Sequence, residues 1–214
     1  MDFATLKTRV LDRLRNRTDI TAALQTNFVV DAQKTLEREG DFPFMEARTT
    51  GTISANAYTL SLPTRFKAIK KDCFLVTDTA GALNPLEQLS VGEAYRKYPF
   101  TSDNEAMPKV VAIQESTSQF LIRPTADVAY AYELQYYQYL ATLSADGDTN
   151  WWTDNAWQLL LYGAMLQATA YLGDSEEYLI YEKLYLEELD RVRRTETART
   201  WSGSVQRAVA HMPV

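Results

Sequence analysis

From Thr149 the chain reads Thr-Asn-Trp-Trp-Thr-Asp-Asn-Ala-Trp and runs straight into Gln158 to Leu172, so three of its four tryptophans stand where a polar loop becomes an apolar helix. Thr153, Asp154 or Asn155 can cap that helix by accepting bonds from its first free backbone amides. Beyond the cap, apolar side chains fall on nearly every face, the pattern of a helix surrounded by protein rather than half in water. Gly163, Ala164 and Ala168 allow neighbours a close approach. Trp151, Trp152, Trp157 and Tyr162 form the expected structural core signature of this segment.

The neighbours are legible as helices. Phe3, Leu6, Val10 and Leu14 repeat at three and four residues behind Asp2, a candidate N-cap, which predicts a helix over Phe3 to Arg15. A second is expected from Asp19, with Ile20, Leu24, Phe28, Ala32 and Leu36 four apart and Gly40 placed as a stop. After the Trp-rich helix, Gly173 ends one element, and Asp174 with Glu177 has the spacing that starts the next. Tyr178, Tyr181, Tyr185, Leu189 and Val192 make its apolar stripe, flanked by Leu184 and Leu186. Residues 1–45 and 144–194 are therefore expected to form one four-helix bundle, discontinuous in sequence.

Between these halves the period changes. Asp41-Phe42-Pro43-Phe44-Met45-Glu46 breaks the helical pattern, because Pro43 lacks a donor and biases Phe42 toward extended geometry. Residues 46–143 read as a small inserted β-rich domain, giving an α+β chain that is mainly helical. Its short runs of β-branched and aromatic residues include Thr52 to Ser54, Tyr58 to Leu62, Cys73 to Val76, Lys109 to Ile113 and Gln119 to Arg123. The last two pair through Glu115 to Ser118, and Ser90 with Glu93 forms a capping box for a short helix reaching Lys97. Tyr130, Tyr132, Leu134 and Tyr136 alternate onto one face of a further strand. The ordinary account of such a face is core; the functional alternative is a carbohydrate- or peptide-binding module using the tyrosines as a stacking platform. Residues 195–214 lack sustained periodicity and read as an extended tail, whose Trp201, Val205, Val209 and Met212 suggest ordering by a partner.

Composition narrows the function classes. The net charge of -6 and pI near 4.9 argue against a protein that grips nucleic acid. Cys73 is the sole cysteine, which excludes an internal disulfide or a cysteine-rich zinc site and agrees with folding in a reducing cytoplasm. The apolar run Leu159 to Leu166 is far short of the ~20 residues that span a bilayer, and the N-terminus shows no signal pattern, so neither secretion nor membrane insertion is expected. Lys7, Arg9, Arg13, Arg15 and Arg17 outnumber Asp2 and Asp12 near the start, and Arg191, Arg193 and Arg194 gather near the end. Favourable cations at helix C-termini explain them simply.

No catalytic constellation stands out. The one histidine, His211, lies near the end of the chain, and no nucleophile elbow, phosphate loop or dinucleotide fingerprint occurs. Asp146-Gly147-Asp148-Thr149-Asn150 offers oxygens at alternate positions, yet Trp151 and Trp157 stand where a calcium loop needs Gly and Glu, so a plain turn is expected. Glu176, Glu177, Glu187 and Glu188 read as a solvated face. No enzyme activity, cofactor or metal is expected.

In order and wording the chain resembles the head-to-tail adaptor, or connector, proteins of short-tailed phages. The resemblance rests on Phe3 to Arg15 and Asp19 to Glu39 as two opening helices, Asp41 to Glu46 as the Phe-Pro break, Tyr130 to Leu140 as the tyrosine-rich strand, Thr142-Leu143-Ser144 as the turn, and the hairpin begun by the Trp-rich helix. It implies a structural ring, twelve copies by family pattern, between the portal protein and the tail or nozzle protein. Double-stranded DNA would pass through without specific binding, and the location would be the virion neck after assembly in the host cytoplasm. It implies, too, that the tail, with Arg199, Trp201, Val205, Arg207, Val209 and Met212, docks on the portal; the alternative account of the basic helix ends makes them contacts to acidic neighbours in such a ring.

Overall fold

The computed structural model describes residues 1–99 and 105–200. Among them are six α-helices, α1 (Phe3–Arg13), α2 (Ala22–Arg38), α3 (Val91–Lys97), α4 (Trp151–Asn155), α5 (Trp157–Leu172) and α6 (Ser175–Thr200). The strands are β1 (Glu46–Ile53), β2 (Thr59–Ser61), β3 (Phe66–Thr77), β4 (Leu83–Pro85), β5 (Glu87–Gln88), β6 (Val110–Gln114), β7 (Gln119–Arg123) and β8 (Tyr130–Gln138). The chain divides into two compact units: Met1–Phe44 with the stretch from Leu140 onward, and Met45–Tyr139. No described helix is long and apolar enough to cross a membrane.

In the helical unit α5 is the hub. It packs against α1, α2, α4 and α6, and Leu159, Leu160, Leu161, Ala164, Met165 and Ala168 are buried around its circumference. Each buried leucine contributes roughly 1.5–3 kcal/mol, so packing rather than propensity holds the helix. Gly163 lies so close to its neighbours that an added Cβ would sit 3.1 Å from the Ala32 Cβ. The four expected helices are present as α1, α2, α5 and α6, with the short α4 added, and α1, α2, α4 and α6 all gather on α5.

Caps set most boundaries. Asp2 caps α1 through the Thr5 amide, whereas α2 is capped by Thr21 and not by Asp19, which instead takes two hydrogen bonds from Arg17. Gly40 does not serve as a left-handed stop, since α2 ends at Glu39 in right-handed geometry. The Trp-rich segment is two helices rather than one. Asn150 caps α4 and exchanges bonds with Thr153 in a capping box, and α5 restarts after Ala156 with no side-chain cap, so none of Thr153, Asp154 or Asn155 caps it. Gly173 closes α5 at φ 71°, and Asp174 accepts from the Glu177 amide to open α6. Buried Gln33 on α2 binds the returning chain at the Ala141 carbonyl and the Leu143 amide.

The second unit is larger in sheet than the small region expected: two four-stranded sheets, β1-β8-β3-β4 and β2-β7-β6-β5. All pairs are antiparallel except β5–β6. Ile53, Phe74, Val76, Leu134 and Tyr136 from the first sheet and Val111, Phe120 and Ile122 from the second share one core. Val110, Ala112 and Leu121 point the other way, onto Ala94 of α3, so β6 and β7 are buried on both faces. The Ser90–Glu93 capping box starts α3 as expected.

Candidate interaction surface

Aromatic side chains converge where the helical unit turns from Phe42 to Phe44 and where α4 begins. The Phe44 ring stacks on Trp151 with centroids 3.5 Å apart, and both meet Trp152 edge-on at 5.0 and 5.4 Å. Phe42 completes the enclosure, edge-on to Trp152 at 5.3 Å. Trp152 is fully buried, and its indole N–H has no protein partner among the described residues. Trp151 is half-buried and faces a hollow of about 200 Å³ lined by Glu188, Val192, Thr195, Glu196 and Arg199. Pro43 and Phe44 border the adjoining hollow.

This hollow lies along the last turns of α6, beyond the helix end expected at residue 194. The helix continues because its inward stripe does: Val192 is buried, and four residues on Glu196 is 5% exposed. The Arg199 guanidinium donates to Glu196 at 3.0 Å, and Arg191 pairs with Glu188 at 2.8 Å. Farther back, Arg193 donates to the Glu39 carbonyl, tying α6 to the end of α2. Glu188, expected on a solvated face, is only 13% exposed at this hollow, and Phe44, expected only as part of the Phe-Pro break, is a ring of the cluster; Glu196 has no counterpart among the expectations, the i, i+4 spacing from Val192 being its one signal. Arg199 stands exposed at the lip, while Trp201, Val205, Arg207, Val209, His211 and Met212 lie outside the described residues.

Trp157 and Tyr162 of the signature are half-buried along the seam of α1 with α5. The Arg9 guanidinium lies 4.4 Å from the Trp157 ring centre and that of Arg13 5.7 Å from Tyr162, which in turn faces Tyr181 of α6 at 6.5 Å. Cation–π attraction draws each guanidinium to its ring.

Other candidates resolve differently. The Asp148 carboxylate accepts from the amides of Ala145 and Ser144 and from the Ser144 hydroxyl, bonds that hold its pKa below the usual range. Asp146 pairs with Lys7, so the two carboxylates of that loop serve different partners, and no metal-ligating cluster occurs among the described residues. Tyr130, Leu134 and Tyr136 are buried in the sheet core, and Tyr132 lies over Gly51, where an added Cβ would sit 2.8 Å from the ring. The first strand face is thus committed to packing. Proteins are the partners such a surface suits, with aromatic and arginine groups at a half-open groove. The family model described as SU10 adaptor protein matches residues 1–208. No curated protein matches the chain.

Proposed function

Because the chain belongs to the SU10 adaptor protein family, a family of phage adaptor proteins, we propose that it is a subunit of a ring joining portal to tail. In this reading twelve copies close the ring, the tail or nozzle protein binds one side, and DNA passes through the axis without specific contact. The role is structural, made of surfaces rather than of reacting groups.

The observation that carries the portal-docking part is the root of the tail. The helix α6 runs unbroken to Thr200, is tied to α2 through Arg193, and ends beside the Phe44–Trp151 groove. A rigid root delivers residues 201–214 from a fixed position, so less entropy is lost when they dock than if the whole segment were free. Repetition around a ring multiplies each weak attachment. A chain ending at Thr200 should fold normally and fail to bind isolated portal rings in a pull-down read by electron microscopy. Undiminished binding by that shortened chain would refute the anchoring role.

A further inference from the structure

The outward α1–α5 seam and one side of α6 carry opposite charges and matching apolar content. Arg9 and Arg13 are exposed, rest on the rings of Trp157 and Tyr162, and have no carboxylate partner among the described residues. On α6, Leu179 and Leu186 are 64% and 56% exposed, well beyond what a helix stripe facing its own core would show. They are seven residues apart and so share a face, with the exposed carboxylates of Glu176 and Glu187 beside them and exposed Lys183 between, its ammonium 4.0 Å from the Glu187 carboxylate. Tyr181, two positions from Leu179, faces Tyr162. At 100° per residue the leucine face is therefore turned roughly 160° away from the side of α6 that meets the seam. One surface cannot fold onto the other within a copy.

We infer that the Arg9–Arg13 seam of one copy docks on the Leu179–Leu186 face of a second copy, with Glu176 and Glu187 taking the guanidinium edges. This rests on the ring-forming reading above and names the lateral contact it requires. Two different surfaces meeting head to tail make a heterologous interface, which propagates around a closed axis where an isologous one would stop at a dimer. The fit has both components of a specific contact: arginine and aromatic groups against leucines at the centre, and opposite charges that fix the register. Double-stranded DNA is the lesser match for the seam, because the chain is acidic overall and Asp12 lies beside the two arginines.

The test uses full-length chains in a Cys73→Ser background, one carrying Asp12→Cys and the other Ser175→Cys, exposed positions at the edges of the two faces that the proposed contacts do not use. Concentrated and oxidised together, the mixture should give disulfide-linked heterodimers about tenfold above either protein alone. Arg9→Glu with Arg13→Glu on the first chain should abolish the excess, and Glu176→Arg with Glu187→Arg on the second should restore it. Equal yields for mixed and single proteins, or yields indifferent to charge reversal, would overturn the docking. So would a gel shift of double-stranded DNA that the arginine reversal removes. Charge-dependent cross-links without rings on portal would sink the ring reading and leave this contact standing, whereas rings that form despite the arginine reversal would sink this contact alone.

Discussion

Tyr185 carries a hydroxyl that the helical core does not satisfy. The residue is 7% exposed, and its oxygen has no hydrogen-bond partner among the described residues. Burial pushes its pKa up to about 12, and the negative charge of Glu39 adds to the effect. A phenol whose folded pKa exceeds its unfolded value near 10 contributes stability that is complete below pH 10 and lost as pH rises through 12. Tyr185→Phe should leave stability at pH 7 unchanged or raise it by about 1 kcal/mol, because an unmet polar group is removed. Urea unfolding between pH 9 and 11 should fall less steeply for the variant than for the parent, and equal slopes would show that the hydroxyl is ionised or solvated in the fold. Trp152 is the counterpart whose bulk matters. Its cage of Phe42, Phe44 and Trp151 cannot collapse onto an alanine, so Trp152→Ala should cost about 3–5 kcal/mol, read as a lowered denaturation midpoint. Residue-level signals were readable where one side chain meets nearby backbone, as at Asp2, Ser90 and Asp174. They misled where two capping types competed: Asp19 is taken by Arg17, leaving Thr21, and Asn150 caps a helix that the tryptophans had already begun.

At the scale of elements, α2, α5 and α6 meet closely at Gly163. A Cβ there would lie 3.1 Å from the Ala32 Cβ and 3.4 Å from the Tyr185 ring, and neither helix backbone can retreat without opening the core. Gly163→Val should therefore destabilise by about 1–3 kcal/mol, and Ala32→Gly in the same chain should recover part of the loss. Thermal melts of the single and double variants check this; additive losses would mean that the two sites do not touch. The sequence shows why this helix is enclosed, since small residues and leucines occupy every face, but not how long its partners are. The twelve-residue β3 was seen only as Cys73 to Val76, because register shifts between Phe66 and Ala68 and between Ile69 and Phe74 break the alternation that marks a strand. The last turn and a half of α6 escaped for a related reason: its inward positions pass from valine to a paired glutamate, which no apolar count detects.

For the whole molecule, the insertion is explained by how its ends meet. Glu46, at the start of β1, is paired in register with Tyr137 near the end of β8, and the Tyr139 amide donates to the Arg65 carbonyl. Paired antiparallel residues lie about 5 Å apart, so the chain leaves and re-enters the helical unit through neighbouring points, and the insertion closes with little loop entropy. Its core of Ile53, Phe74, Phe120, Ile122, Leu134 and Tyr136 comes wholly from within Met45–Tyr139. A segment that owns its core and whose ends are adjacent satisfies the conditions for folding by itself. Residues 45–139 expressed alone should therefore show near-ultraviolet circular dichroism and one cooperative thermal transition. The complementary chain, in which a short Gly-Ser linker joins Phe44 to Leu140, should keep the stacked Phe44–Trp151 pair, observable as protected indole fluorescence. If the excised segment stays unfolded while the full chain melts in a single step, the two units are one cooperative body, and lateral contacts made by one would then be transmitted to the other.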